Sequence, residues 1–157
     1  MKNRSMRPAF SMVTAIVVLV LMATVGVFVL SFSGKITKVS TAEYQHEQAE
    51  LYTKSYTEYA VLAVTGNDRS SNCLQDINGT IGSPSSGNGY RIRTHIAYIV
   101  NGSVDVSQCD AVRILSSSVQ ESKTPLTILV DVYVDYKDPD NTSGPWMTVH
   151  RRTVQKI

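Results

Sequence analysis

Hydrophobic and polar positions divide this chain into stretches with different periods. From Phe10 to Phe32 there is no charged residue, and the apolar side chains leave no polar face. At about 1.5 Å per residue, a helix of that length crosses a hydrocarbon core of ~30 Å. From Gly34 to Val64 there is no proline, and Ala42, Gln45, Ala49, Tyr52, Tyr56, Tyr59 and Ala63 recur at spacings of three or four. That spacing puts them on one face of a helix. Glu43, Glu47, Glu50, Lys54 and Glu58 fall largely elsewhere, with Glu50 and Lys54 a favourable four-residue pair. Gly66-Asn67 then supplies a stop signal. The pattern predicts one helix from about Phe10 to Val64, apolar all round and then amphipathic. Its tyrosine stripe is read as the face on which a sheet packs.

Beyond Gly66 the period falls to two. Asn67 to Gly89 is rich in Asn, Ser and Gly and contains Pro84, which reads as a loop. Tyr90, Ile92, Thr94, Ile96, Tyr98 and Val100 alternate with Arg91, Arg93 and His95, as in a half-buried strand. Asn101-Gly102 is a hairpin turn signal, so Ser103 to Val106 is expected to fold back. Thr127 to Tyr136 alternates again, with Ile128, Val130, Val132, Val134 and Tyr136 inward and Asp131 and Asp135 outward. Met147 to Lys156 is a third, less regular strand. The expected fold class is α+β: a long N-terminal helix packed on a small antiparallel sheet of three to five strands.

Lys2, Arg4 and Arg7 precede the apolar run and hold that end in the cytoplasm, against a weaker bias from Lys35 and Lys38 beyond it. A secretory signal has a shorter apolar region, so the run is read as a single membrane span with the rest of the chain exported. The order basic leader, small residue, aromatic, unbroken apolar helix is written here as Arg7-Pro8-Ala9-Phe10-Ser11-Met12-Val13-Thr14-Ala15-Ile16. It resembles the N-terminus of the type IV pilin superfamily, which includes the pseudopilins of type II secretion. The resemblance implies cleavage by a prepilin peptidase between Ala9 and Phe10, followed by methylation of the Phe10 amine. It also implies a helix that anchors the subunit in the bacterial inner membrane and later packs against other pilin-like subunits at an assembly platform. The family usually has glycine where this chain has Ala9, and glutamate where it has Thr14. The missing acid points to a minor subunit. The organisation is then a basic leader (residues 1–9), a transmembrane or filament-core helix (10–33), an amphipathic continuation (34–65) and a head domain of variable loop and sheet (66–157). The head would lie in the periplasm or on a filament. The rival reading is a single-pass, membrane-anchored periplasmic domain that binds a ligand or partner and never assembles.

The remaining chemistry is sparse. Cys73 and Cys109 are the only cysteines and lie on the exported side, which reads as a disulfide. Asp135, Asp138, Asp140 and Asn141 are candidate calcium ligands around the loop Lys137 to Trp146, although Asp-Pro and Asn are ordinary turn residues. Otherwise no cofactor is implied. His46, His95 and His150 have no ligand spacing, no serine sits in G-x-S-x-G, and nothing supports an enzyme. Asp76-Ile77-Asn78-Gly79-Thr80 matches an acid-preceded N-x-T acceptor for glycosylation, a short match in an expected loop for which coincidence is the simpler account. Charge does not favour nucleic acid. The 15 cations less the three of the leader leave 12 against 13 anions. Arg91, Arg93, Arg113, Arg151 and Arg152 could gather on one sheet face, but pairing with Asp131 and Asp135 across strands is the expected arrangement.

Overall fold

A computed structural model describes residues 8–69, 71–119 and 126–157. One helix, α1 (Pro8–Gly66), is followed by strands β1 (Asp76–Ser83), β2 (Asn88–Val100), β3 (Ile114–Ser116), β4 (Leu126–Tyr136) and β5 (Met147–Lys156). The chain divides into two compact units, one ending at Glu43 and the other running from Tyr44 to Ile157. In the first, the described side chains of α1 are exposed, including Met12, Leu19, Phe28 and Leu30. The second is an α+β head in which the last part of α1 packs on the sheet.

The strand order is β1-β2-β4-β5, antiparallel throughout, and β3 adds a short parallel pairing to β2. Strands β2 and β4 form the centre, in register from Tyr90 opposite Tyr136 to Val100 opposite Leu126. On its other edge β2 pairs with β1 as far as His95 and then with β3 near Tyr98. Period-two patterning accounts for the core. Ile92, Thr94, Ile96, Tyr98 and Val100 of β2 meet Ile128, Val130, Val132 and Val134 of β4 on the inner face, all essentially without solvent exposure.

The helix face that meets this layer is rotated from the one its tyrosines suggest, and the two share Ala49 and, at the margin, Tyr52 and Tyr56. The buried seam is Ala49, Thr53, Thr57, Ala60 and Val64, while Tyr52 and Tyr56 are half-buried at its margin and Ala42 and Tyr59 are exposed. Small side chains let the helix settle close to a sheet already filled with Ile and Val, and the larger rings are pushed aside. Burying the two threonines costs little because each hydroxyl finds a helical carbonyl. Thr53 Oγ1 donates to Glu50 O and Thr57 Oγ1 to Thr53 O, both at 2.7 Å. The Tyr56 ring lies over Gly79, where an added Cβ would collide with the phenolic oxygen. Glycine at that point is what lets the ring lie down on the strand.

Two loop expectations are overturned. Part of the stretch read as loop, Asp76–Ser83, is β1, with Ile77 and Ile81 half-buried and Asp76, Asn78 and Thr80 exposed. Its two glycines and its Asn mask that alternation. Residues Ser103 to Val106 do not return as a strand. The Asn101 carboxamide oxygen accepts from the Ser103 backbone N–H at 3.2 Å and from its hydroxyl, closing a local turn instead of a hairpin. The chain then runs to Cys109, and the strand that flanks β2 as a full antiparallel partner is β4.

Candidate functional site

Two surfaces carry the candidate chemistry, one on α1 and one on the outer face of the sheet. Ala9 and Phe10 lie in the first turn of α1, which opens on Pro8, a residue suited to the first helical position. The leader cations lie outside the described residues. Thr14 is exposed on the apolar stretch that follows. Among the described residues one helix is long and apolar enough to cross a membrane, and none of its most apolar window is buried. The single polar hydroxyl of Thr24 is satisfied within the helix, donating to Leu21 O at 2.9 Å.

In the head unit the helix keeps a second apolar stripe. Tyr44, Leu51 and Leu62 fall within about 20° of one line at 100° per residue, roughly opposite the seam of Ala49, Thr53, Ala60 and Val64. All three are exposed, Leu62 to 71%, and Tyr59 lies beside them at 55%. The side of α1 turned away from the sheet thus carries exposed apolar side chains, interleaved with Gln48, Ser55 and Glu58.

The outer face of the sheet is built from cross-strand rows. In one, Thr80, Arg91, Asp135 and Thr148 lie side by side on β1, β2, β4 and β5. Asp135 is 1% exposed. Its carboxylate accepts from Arg91 Nη2 at 2.9 Å, Arg93 Nε at 3.1 Å and Thr148 Oγ1 at 2.7 Å. Burial alone would raise its pKa, but the Thr148 and Arg91 hydrogen bonds and the two guanidinium charges outweigh burial and hold the carboxyl below the usual range. The next row is Asn78, Arg93, Tyr133 and His150, with the His150 ring stacked on Tyr133 at 4.3 Å. The third is Asp76, His95, Asp131 and Arg152. Here Arg152 Nε donates to Asp131 at 2.7 Å, and this bond, opposed by burial and aided by His150, lowers the Asp131 pKa. Asp76 accepts from Arg113 at 2.9 Å and contacts His95. Arg91 and Lys137 flank the Trp146 ring at 4.6 and 5.0 Å.

The expected cross-strand pairing is thus present: Arg91 and Arg93 on Asp135, and Arg152 on Asp131. Arg151 lies on the opposite face, in register with Val132, and Arg113 reaches Asp76 instead. Asp135 is outward, as expected, yet buried beneath its own partners. Three residues the sequence reading did not single out, Thr148, Trp146 and Tyr133, complete the array. The cross-strand register reveals Thr148 and Tyr133, and the contacts of Arg91 and Lys137 reveal Trp146.

The four calcium candidates are not brought together. Both Asp135 oxygens face arginine and threonine donors. Asp138 instead caps its own loop, accepting from the Asp140 N–H at 2.9 Å through Oδ1 and from the Asn141 N–H at 3.1 Å through its carbonyl. Among the described residues no group of three or more His, Cys, Asp or Glu is placed to hold a metal. Cys73 and Cys109 form a disulfide with Cα atoms 5.0 Å apart, which fits an oxidising compartment.

No protein-family model, characterised protein or solved structure matches the chain.

Proposed function

We propose that this chain is a pilin-like subunit, of the minor class, in a type II secretion or type IV pilus-type filament. A prepilin peptidase removes residues 1–9 and leaves Phe10 as the methylated N-terminus. The apolar part of α1 holds the subunit in the bacterial inner membrane until it moves, through an assembly platform, into contact with other such helices. The head lies on the periplasmic side, and its role is structural, not catalytic.

The observation that carries the reading is the exposed apolar surface of α1, unbroken before the head and continued within it by Tyr44, Leu51 and Leu62. A helix serving only to tether a soluble domain gains nothing from exposed Leu51 and Leu62 on the side turned away from its sheet. Exposing such side chains to water costs about 1.5–3 kcal/mol apiece relative to burying them, so a packing partner accounts for them. Equivalent helices supply that partner with no further component. The apolar sequence that precedes the head offers the same kind of surface.

Mass spectrometry of the protein purified from cells with an active prepilin peptidase tests the proposal. The mature chain is expected to begin at a methylated Phe10. A chain that keeps its leader beside other processed prepilins would leave only a membrane-anchored domain.

A further inference from the structure

The motif set aside in the sequence takes a different character in the fold. The sequence contains four N-x-S/T triplets, at Asn3, Asn78, Asn101 and Asn141, and only Asn78 has a carboxylate two residues before it, that of Asp76. The structure separates the three that lie in described residues. Asn101 spends its side-chain oxygen on the turn that holds Ser103. Asn141 is exposed, but its side-chain nitrogen lies only 2.9 Å from where a Cβ on Gly144 would stand, and Pro139, not an acid, stands two residues before it. Asn78 instead sits in the middle of β1, an edge strand, and Asp76, Asn78 and Thr80 all point to the outer face and are all exposed.

From this placement we infer that Asn78 is an N-glycosylation site, served by an oligosaccharyltransferase of the class that requires an acid two residues before the acceptor. Three observations converge. The acceptor, its hydroxyl at Thr80 and its acid at Asp76 line one face of a strand whose far edge has no neighbour in the sheet among the described residues. The chain carries a disulfide, which fits the exported, oxidising side on which such a transferase would meet it. The face opposite Asn78 is also the one that must stay clear, because there Tyr56 lies against Gly79. A sugar on Asn78 projects away from that contact and leaves the core undisturbed.

The step balances with one co-reactant, a lipid-pyrophosphate-linked oligosaccharide. Asn78 Nδ2 forms a bond to the anomeric carbon, the carbon–oxygen bond to phosphate breaks, and the lipid pyrophosphate leaves with the electron pair. One amide proton passes to a carboxylate base on the transferase. The inference needs only that the head is exported, so it stands or falls independently of filament assembly.

The test is intact-mass and glycopeptide spectrometry of the full chain from a host that carries such a transferase and its donor, with a known acceptor protein in the same cells as control. One oligosaccharide is expected on the Asn78 peptide. It should be absent from Asn78→Gln, Thr80→Ala and Asp76→Ala, and retained in Thr80→Ser. Asp76→Ala also loosens the Asp76–Arg113 contact, but loosening the strand would favour access and cannot mimic the expected loss. An unmodified Asn78 beside a modified control overturns the site. Sugar found only on Asn101 or Asn141, or retained in Asp76→Ala, overturns the assignment of acceptor or of transferase class.

Discussion

Asp135 shows how a single side chain can look like a ligand and act as a fastener. It lies on the face away from the helix, yet two arginines and a threonine close over it. Replacing it with alanine removes several charge-assisted hydrogen bonds, so a loss of about 2–3 kcal/mol is expected in chemical denaturation of the head. Because the folded carboxyl titrates below its ordinary value, its contribution is complete above about pH 4 and fades as pH falls through the depressed folded value. Asp135→Asn should therefore flatten the acid side of a plot of melting temperature against pH. Thr94 is the reverse case. Its hydroxyl is fully buried in the inner face with no hydrogen-bond partner. Thr94→Val removes an unpaired polar group at nearly constant shape, and stability is expected to rise by about 1 kcal/mol. A fall of that size in the same denaturation curves would mean that the hydroxyl has a partner in solution.

At the level of elements, strands β2 and β4 were legible because Ile, Val and Tyr recur in them at every second position with little interruption, whereas β5 shows the alternation only in part. The long helix was legible from its lack of breakers. Which face of the helix meets the sheet was not. Size misled: tyrosines mark a stripe to the eye, whereas Ala49, Thr53, Ala60 and Val64 make the closer fit. Strand β1 was hidden by Gly79 and Gly82, the first of which is small because Tyr56 needs the space. The Asp135 array was half legible, since the acids and arginines could be paired on paper, but Thr148 joins them only through register and Trp146 only through its contact with Arg91. The apolar back of α1 gives a prediction at this scale. Leu51→Glu with Leu62→Glu should leave the melting temperature of a chain beginning at Tyr44 within about 2 °C, since both residues are exposed surface positions. In the full chain, the same pair should abolish cross-linking between subunits in membranes.

For the whole molecule, the disulfide matters through the route by which the chain is connected. In the chain-entropy account, closing a loop with a sequence separation of 36 contributes about 3–4 kcal/mol. In the filament role proposed above, the head would also be pulled by its helix. Tension leaving α1 at Gly66 reaches Cys73 before it reaches β1, and the bridge hands it across to Cys109. The segment between them, which holds β1 and all of β2, is then bypassed and cannot be peeled apart strand by strand. Stretched singly from its two ends, the oxidised protein should give an unfolding step shorter than the reduced one. The difference should be about 13 nm, from the separation of 36 at ~3.6 Å per residue. The strands that follow the helix most closely in sequence would then be the ones least exposed to being drawn out.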